Sequence, residues 1–89
     1  MTNSFEDRIV RKFKIEHLKK FTRFPIIVIY KNPSDYPDKY VARVWNIDSP
    51  TALIALAESL EEIRKTIPDE MYNLGRNNED DPCIVEAWI

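Results

Sequence analysis

Residues 26–63 decide the fold of this chain, and they read IIVIYKNPSDYPDKYVARVWNIDSPTALIALAESLEEI. Three runs rich in β-branched and aromatic residues predict strands over residues 26–31, 39–47 and 51–57. Stretches that contain Pro, Asp and Ser separate the runs and predict turns. Because these connections are short, we expect the three strands to pair as an antiparallel meander.

A helix is predicted directly after the meander. Ser59 and Glu62 form the S-x-x-E pattern of a capping box, in which each side chain satisfies the free backbone N–H of the other residue. An apolar stripe follows at helical spacing, and Pro68 ends it. Residues 83–89 then indicate a last strand. We expect the helix to cover one face of the sheet, because a sheet must bury its apolar face.

The start of the chain allows two interpretations. An i, i+4 stripe predicts a helix over residues 4–24 with Ser4 as its N-cap. The stripe consists of Phe5, Ile9, Phe13 and His17. Charged and apolar residues also alternate around residues 10–16, which is typical of a strand. A strand there followed by a short helix is therefore the alternative to one long helix.

These elements predict one α+β domain of residues 1–89. Its antiparallel four-stranded sheet consists of the β-meander and the C-terminal strand, and one capped helix covers it. Residues 1–24 form a basic N-terminal segment, predicted as a helix, and residues 25–89 form the αβ body. A length of 89 residues is that of a single small domain.

The composition argues against several classes of protein. The chain is 44% hydrophobic and 31% charged, which is typical of a folded domain and not of a disordered one. Its single glycine argues against a glycine-rich phosphate-binding loop. Cys83 is the only cysteine, which excludes an intramolecular disulfide and fits a reducing compartment. Because no signal peptide or membrane-length apolar run is visible, we expect a soluble cytoplasmic protein.

Charge is unevenly distributed along the chain. The formal net charge is −2, but the basic segment (residues 1–24) holds seven basic and three acidic side chains, a net charge of +4, while the rest carries −6. A basic segment on an acidic body is typical of a protein with an anionic partner. It is also expected if the segment packs electrostatically on its own body. The candidate contacts to an anionic partner are Arg8, Arg11, Lys12, Lys14, Lys19, Lys20 and Arg23.

No cluster of residues indicates catalysis, a metal site or a cofactor, and we predict that the protein is not an enzyme. His17 is the single histidine and has no nearby nucleophile or second histidine in the sequence. Cys83 has acidic neighbours, which oppose thiolate formation. Acidic residues 79–81 lack the spacing of a calcium loop. The glutamates within residues 58–62 lie at a helix start, where the helix dipole stabilises acids.

Aromatic residues cluster around the first predicted hairpin, next to Lys31, Lys39 and Arg43. Such residues can stack on unpaired bases or anchor a protein partner, and they can equally pack in the core. Trp88 is expected to dock within the domain or across a dimer interface. The candidate protein-interface residues are Tyr36, Tyr40, Trp45 and Trp88.

Three short segments resemble the N-terminal domain of HicB-type antitoxins. They are YVAR at residues 40–43, DSP at 48–50 and AESLEEI at 57–63, within a similar region that spans residues 26–67. The resemblance implies a βββαβ-like fold related to a truncated RNase H fold, and binding to a small toxin protein. Unlike that family, the chain lacks glycines around the turn and a C-terminal helix-turn-helix or ribbon-helix-helix segment. The chain is also similar to small bacterial or phage-encoded proteins.

The leading functional prediction is a non-catalytic protein-interaction or regulatory module. It would contact a protein partner or a second copy through the aromatic hairpin and the last strand. The alternative is a nucleic-acid-binding accessory protein that uses the seven cations of the basic segment, which must then share one exposed face. An enzyme would require a cleft that joins His17, Cys83 or the acidic residues. No membrane partner is expected, and the sequence names no small-molecule ligand.

Overall fold

The computed structural model describes residues 7–76 and 81–89 of the chain. Six strands and two helices lie in this part, in the order β1 (Arg8–Ile9), α1 (Ile15–Phe21), β2 (Pro25–Lys31), β3 (Tyr40–Asn46), β4 (Ser49–Ala57), α2 (Leu60–Arg64), β5 (Asn73–Gly75) and β6 (Ile84–Trp88). The strands form one sheet in the order β1-β4-β3-β2-β6-β5. β1 is parallel to β4, and every other neighbouring pair is antiparallel.

The meander of β2, β3 and β4 provides the centre of the sheet. In its register, Ile27 lies opposite Val44 and Ile29 lies opposite Ala42. These four side chains are on one face, since opposed residues in a ladder share a face. All four are completely buried. Burial stabilises the fold by about 1.5–3 kcal/mol for each isoleucine, so this face forms the main core.

Both helices pack on this face, which we call the helix-covered face. Leu18 of α1 and Ile63 of α2 are completely buried against it, and Phe13, Ile67 and Met71 complete the cluster. Each helix buries one residue completely because a helix of one or two turns presents only a narrow stripe to the sheet. Among the described residues, no helix is long and apolar enough to cross a membrane.

The opposite face, which we call the helix-free face, has a small buried cluster of its own. Val28, Val41 and Ile54 are buried there although both helices pack on the other side. The loop between β2 and β3 folds over this face, and its Tyr36 hydroxyl donates a hydrogen bond to Asp7 (2.9 Å). The loop and the start of the basic segment therefore meet above the sheet.

Helix α2 begins where the capping pattern predicts. The Glu62 N–H donates to Ser59 Oγ (3.1 Å), and the Glu62 carboxylate accepts from the Ser59 hydroxyl (3.4 Å). After the helix, the N–H groups of Thr66 and Ile67 bond to carbonyls three residues earlier. These turns hold Ile67 in the core before Pro68 redirects the chain.

The predicted four-stranded antiparallel sheet under one helix is wrong. Strands are present near residues 26–31, 39–47, 51–57 and 83–89, but β1 and β5 extend the sheet to six strands, and β1 adds a parallel pair. The two added strands have two and three residues, so they carry no local periodicity that a sequence could reveal. They form because pairing along the sheet satisfies backbone groups of segments that pass its edges.

The predicted long N-terminal helix is wrong as well. Residues 8–9 form a strand, and only residues 15–21 are helical. The Val10 N–H donates to the Ile54 carbonyl (2.8 Å), which continues the β1–β4 pairing and replaces helical bonding there. Tertiary pairing thus overrides the i, i+4 pattern. The alternative of a strand followed by a short helix has the observed order, with the strand earlier than expected. The proposed cap, Ser4, lies outside the described residues.

Candidate functional site

The basic segment is tied to the body at two points. β1 pairs with β4, where Arg8 lies opposite Leu53. Further along, the Phe13 N–H donates to the Thr66 carbonyl (2.8 Å), just after α2. Residues 11–12 between these points are exposed. The two attachments therefore hold the first cations of the segment at defined places on the sheet edge.

Three side chains on one side of helix α1, counting its N-cap Lys14, are exposed to solvent. Lys14, His17 and Phe21 follow i, i+3 and i+7 spacing, which places them on one side of the helix, and all three are exposed. The helix ends at Thr22, whose buried hydroxyl donates to Asn46 Oδ1 (2.5 Å). This bond fixes the end of α1 against the turn between β3 and β4.

A groove lies between β1 and α1, and we call it the α1 groove. It is a cavity of about 240 Å³ with an apolar floor and a basic rim. Its floor is formed by Val10, Phe13, Leu18 and Leu53. Its rim is formed by Arg8, Lys12, Lys14, His17 and Phe21.

A second groove, the turn groove, lies between the end of α1 and the β3–β4 turn. Phe21 lines both grooves, so they adjoin. Among the described residues, no acidic side chain lines either of them. We call the cations of the two grooves the basic surface, and they are Arg8, Lys12, Lys14, Lys19, Lys20 and Arg23.

Arg11 is the one predicted cation that lies apart from this surface. It faces a different groove, which it shares with Lys39, Glu58 and Glu62. Acidic side chains line that groove, so the potential there is mixed. Six of the seven predicted cations thus line two adjoining grooves, whereas the prediction required all seven to share one exposed face.

Among the described residues, no ion pair neutralises a cation of the basic surface. Within residues 7–76 and 81–89, the ion pairs are Lys39–Glu58, Arg43–Asp7, Arg43–Asp35 and Arg64–Glu86. None of them includes a cation of the basic surface. Pairing between segment and body runs the other way, since the acidic Asp7 is bound by Arg43 of the body. One interpretation of the uneven charge was that the basic segment packs electrostatically on the body. In the described part of the chain, no cation of the basic surface forms an ion pair with the body.

Arg43 donates hydrogen bonds to several polar groups on the helix-free face. Its Nη1 lies 2.9 Å from Asp7 Oδ1 and 2.7 Å from the Thr51 carbonyl, and its Nη2 lies 3.4 Å from Asp7 Oδ2. The hydrogen bonding from Arg43 holds the pKa of Asp7 below its usual value, although desolvation opposes this. Desolvation and the bond to Asp7 raise the pKa of the Tyr36 hydroxyl. The network holds Asp7 on the helix-free face. Because Asp7 is paired with Arg43, it does not neutralise the cations of the basic segment.

The predicted interface aromatics do not form one surface. Tyr36 and Trp45 lie on the helix-free face, where Trp45 Nε1 donates to the Tyr30 hydroxyl (2.9 Å). Tyr40 and Trp88 pack against the core of the helix-covered face. A single flat contact could therefore reach only two of the four residues, and the interface stays a prediction.

The other chemistry-bearing residues are scattered. His17 lies exposed on the rim of the α1 groove. Cys83 is half-buried in the turn before β6, where its N–H donates to Asp81 Oδ1 (2.9 Å). In the described part of the chain, no three His, Cys, Asp or Glu residues gather as a metal site. Glu79 and Asp80 lie outside the described residues.

Ile47 is a feature of the surface that the sequence did not reveal. It was expected at the end of a strand, but it lies in the β3–β4 turn with φ 60° and is 58% exposed. Turn positions with positive φ favour Gly or Asn, and a β-branched residue there is strained by about 1–3 kcal/mol. The turn thereby presents an apolar side chain in the turn groove, beside the basic surface.

No protein-family model, curated protein or solved structure matches this chain. The resemblance of residues 26–67 to HicB-type antitoxins therefore stays a prediction. A function can be argued only from the geometry of the surfaces. Of these, the basic surface combines exposed charge, apolar side chains and fixed positions, and it is the candidate functional site.

Proposed function

We propose that this protein is a non-catalytic binding module whose basic surface binds nucleic acid. The observation that carries the proposal is that six exposed cations line two adjoining grooves and make no ion pair among the described residues. Phosphate groups along a nucleic acid release bound counterions when Lys and Arg neutralise them, which favours binding. A surface whose cations are already unpaired loses no internal ion pair on binding.

The net charge of −2 does not oppose this proposal. The molecule is 31 Å long, whereas charges in water are screened over about 10 Å at moderate salt. A phosphate at the basic surface is therefore governed by the cations beside it, and acids on the far side of the body contribute little. Segregated charge also orients the protein as it approaches a polyanion.

Neutralising the basic surface should weaken binding by about tenfold or more for each pair of lysines. Two variants test the two grooves separately: Lys12→Gln with Lys14→Gln, and Lys19→Gln with Lys20→Gln. Lys31→Gln with Lys65→Gln is the matched control, because it removes the same charge from exposed positions outside both grooves. Fluorescence anisotropy with a labelled oligonucleotide at low salt measures each dissociation constant.

Three results would contradict nucleic-acid binding. The first is no binding of any DNA or RNA at low salt. The second is a loss in the control pair as large as in the groove variants, which would mean that only net charge matters. The third is poly-glutamate competing as well as the oligonucleotide, which would indicate an acidic protein partner instead.

A second function, self-association, is favoured by the outer edge of β5. In the described residues, β5 ends the sheet, whereas β6 is paired on both sides, with β2 and β5, and offers no free edge. Residues 72–75 contain neither charge nor proline, which are two of the features that protect edge strands, and Tyr72 and Leu74 are exposed. We propose that β5 pairs antiparallel with β5 of a second copy.

Size-exclusion chromatography with light scattering tests this pairing at high micromolar concentration. We expect the mass of a dimer for the wild type and of a monomer for Leu74→Lys, because a lysine at the edge opposes pairing. Ile9→Lys is the control, since Ile9 is equally exposed at the opposite edge of the sheet. A wild-type monomer, or a dimer that Leu74→Lys does not affect, would contradict the role of β5.

A further inference from the structure

The α1 groove has an apolar lining, of which the half-buried Val10 and Leu53 present surface that a ligand can contact. Phe13 and Leu18, which lie at its base, belong to the main core and are almost completely buried. His17 and Phe21 lie one helical turn apart on the same side of α1, and both line the groove, so we call these two residues its ring wall. Arg8, Lys12 and Lys14 stand around the opening. A phosphate alone would gain nothing from this apolar interior.

We infer that the α1 groove holds one unpaired nucleobase, so that the ligand of the basic surface is single-stranded nucleic acid. The inference rests on the nucleic-acid binding proposed above. The base lies against the ring wall of His17 and Phe21, over the apolar floor. The phosphates on either side of it contact the cations at the opening and continue towards the turn groove, which adjoins at Phe21.

The dimensions of the groove favour a single base. Drug-sized ligands occupy clefts of about 300–1,000 Å³, and this cavity of about 240 Å³ is smaller. Bases of any type stack on aromatic rings, since each has a flat π-face. In a duplex the bases are paired and stacked inside the helix, so a groove of this kind cannot reach one without opening the duplex. The groove therefore distinguishes single strands from duplexes.

The turn groove also has cations and the Phe21 ring, but it is larger, at about 700 Å³, and His17 does not line it. Two further cavities lack the combination of cations and rings. The cavity on the helix-free face is similar in size, but the one cation among its described lining residues, Arg43, is already paired with Asp7 and Asp35. The apolar cavity where β2 begins has a volume of about 540 Å³ and is lined by one cation, Lys19, together with Glu70. Neither offers unpaired cations around an aromatic wall.

The test compares three ligands of equal length: a single strand, a duplex, and an abasic strand that has the sugar–phosphate backbone without bases. We expect the single strand to bind about 5–100-fold more tightly than the abasic strand, as one stacked base contributes. The duplex should also bind through phosphates alone, so its binding should not depend on the rings of the α1 groove. Anisotropy at one fixed low salt concentration gives the three dissociation constants.

Two variants separate the base contact from the phosphate contacts. Phe21→Leu removes the ring at a position that is 44% exposed, so the fold should be kept, and it should abolish most of the preference for the single strand. Binding of the duplex and of the abasic strand should not change. Phe24→Leu is the control, because Phe24 is also exposed but does not line the α1 groove. His17→Ala tests the second ring in the same way.

Each outcome decides between the two proposals. A single strand that binds no more tightly than the abasic strand, or a preference that His17→Ala does not reduce, overturns the base-binding groove and leaves nucleic-acid binding in place, because His17 lines the α1 groove and not the turn groove. Binding of none of the three ligands overturns both. A preference that Phe24→Leu reduces as strongly as Phe21→Leu would place the base outside the α1 groove.

Discussion

Replacing Arg64 in α2 with Met is expected to lower the free energy of unfolding by about 1–3 kcal/mol, because it leaves a buried carboxylate without its cation, whose own side chain is 46% exposed. Glu86 in β6 lies on the helix-covered face and is only 3% exposed. Its carboxylate accepts hydrogen bonds from Arg64 Nε (2.9 Å) and Nη2 (2.6 Å) and from Trp88 Nε1 (2.9 Å). In the variant only neutral donors would remain around a charge inside the core.

Lys65→Met is the matched control for this substitution. Lys65 is the next residue, it is exposed, and it takes part in no ion pair among the described residues. Urea denaturation followed by circular dichroism measures both free energies of unfolding. A loss in Arg64→Met no larger than in Lys65→Met would contradict the view that the Arg64–Glu86 pair holds α2 on the sheet.

The pH dependence separates lost charge pairing from lost packing. Hydrogen bonds from Arg64 hold the pKa of Glu86 below its usual value of 4.5 in the folded protein, despite desolvation. The pair therefore contributes fully above about pH 4.5 and less as the pH falls through the lowered pKa. We expect the stability difference between wild type and Arg64→Met to shrink as the pH falls from neutral to about 3. A difference that stays constant would assign the loss to packing.

Arg43→Met is expected to lower the free energy of unfolding by about 2–3 kcal/mol. The Arg43 side chain is only 13% exposed, and its partner Asp7 is similarly shielded at 14%. The substitution removes the donors to Asp7 and to the Thr51 carbonyl together. Because Asp7 directly precedes β1, the start of the basic segment should also lose its attachment to the helix-free face.

Arg11→Met is the control for Arg43→Met, since Arg11 is exposed and makes no ion pair among the described residues. A double-mutant cycle with Asp7→Asn measures the coupling between the two partners by urea denaturation. We expect the two single substitutions to overlap, so that the double variant is more stable than the sum of the losses predicts. Simple additivity would show that the ion pair does not link the segment to the sheet.

The parts of the fold that the sequence predicts are those with strong local signals. The meander follows from runs of β-branched residues, and the start of α2 follows from Ser59 and Glu62, whose bond is observed. The prediction of a long N-terminal helix was wrong because the Val10 N–H donates a hydrogen bond to β4. Local periodicity carries no information about such a tertiary contact. β5 was missed because three residues are too few to show alternation.

The sequence predicted the cations of the candidate site but not how they are arranged in space. The cations are visible in the sequence, but only the fold shows that Arg11 is separated from the other six. The α1 groove requires β1 and α1 to lie side by side, which the predicted single helix would have prevented. The aromatic hairpin seemed an equal candidate, and the structure divides its members between the two faces of the sheet.

The salt dependence of oligonucleotide binding tests the basic surface most directly. For a single strand, the logarithm of the binding constant should fall linearly with the logarithm of salt concentration, with a slope of about −0.7 for each phosphate contact. We expect a slope of about −3 to −4 for the wild type, a slope smaller by about 1 for Lys12→Gln with Lys14→Gln, and no change for Lys31→Gln with Lys65→Gln. Binding that is absent at low salt, or whose slope the Lys12 and Lys14 substitutions leave unchanged, would contradict a nucleic-acid site on this surface.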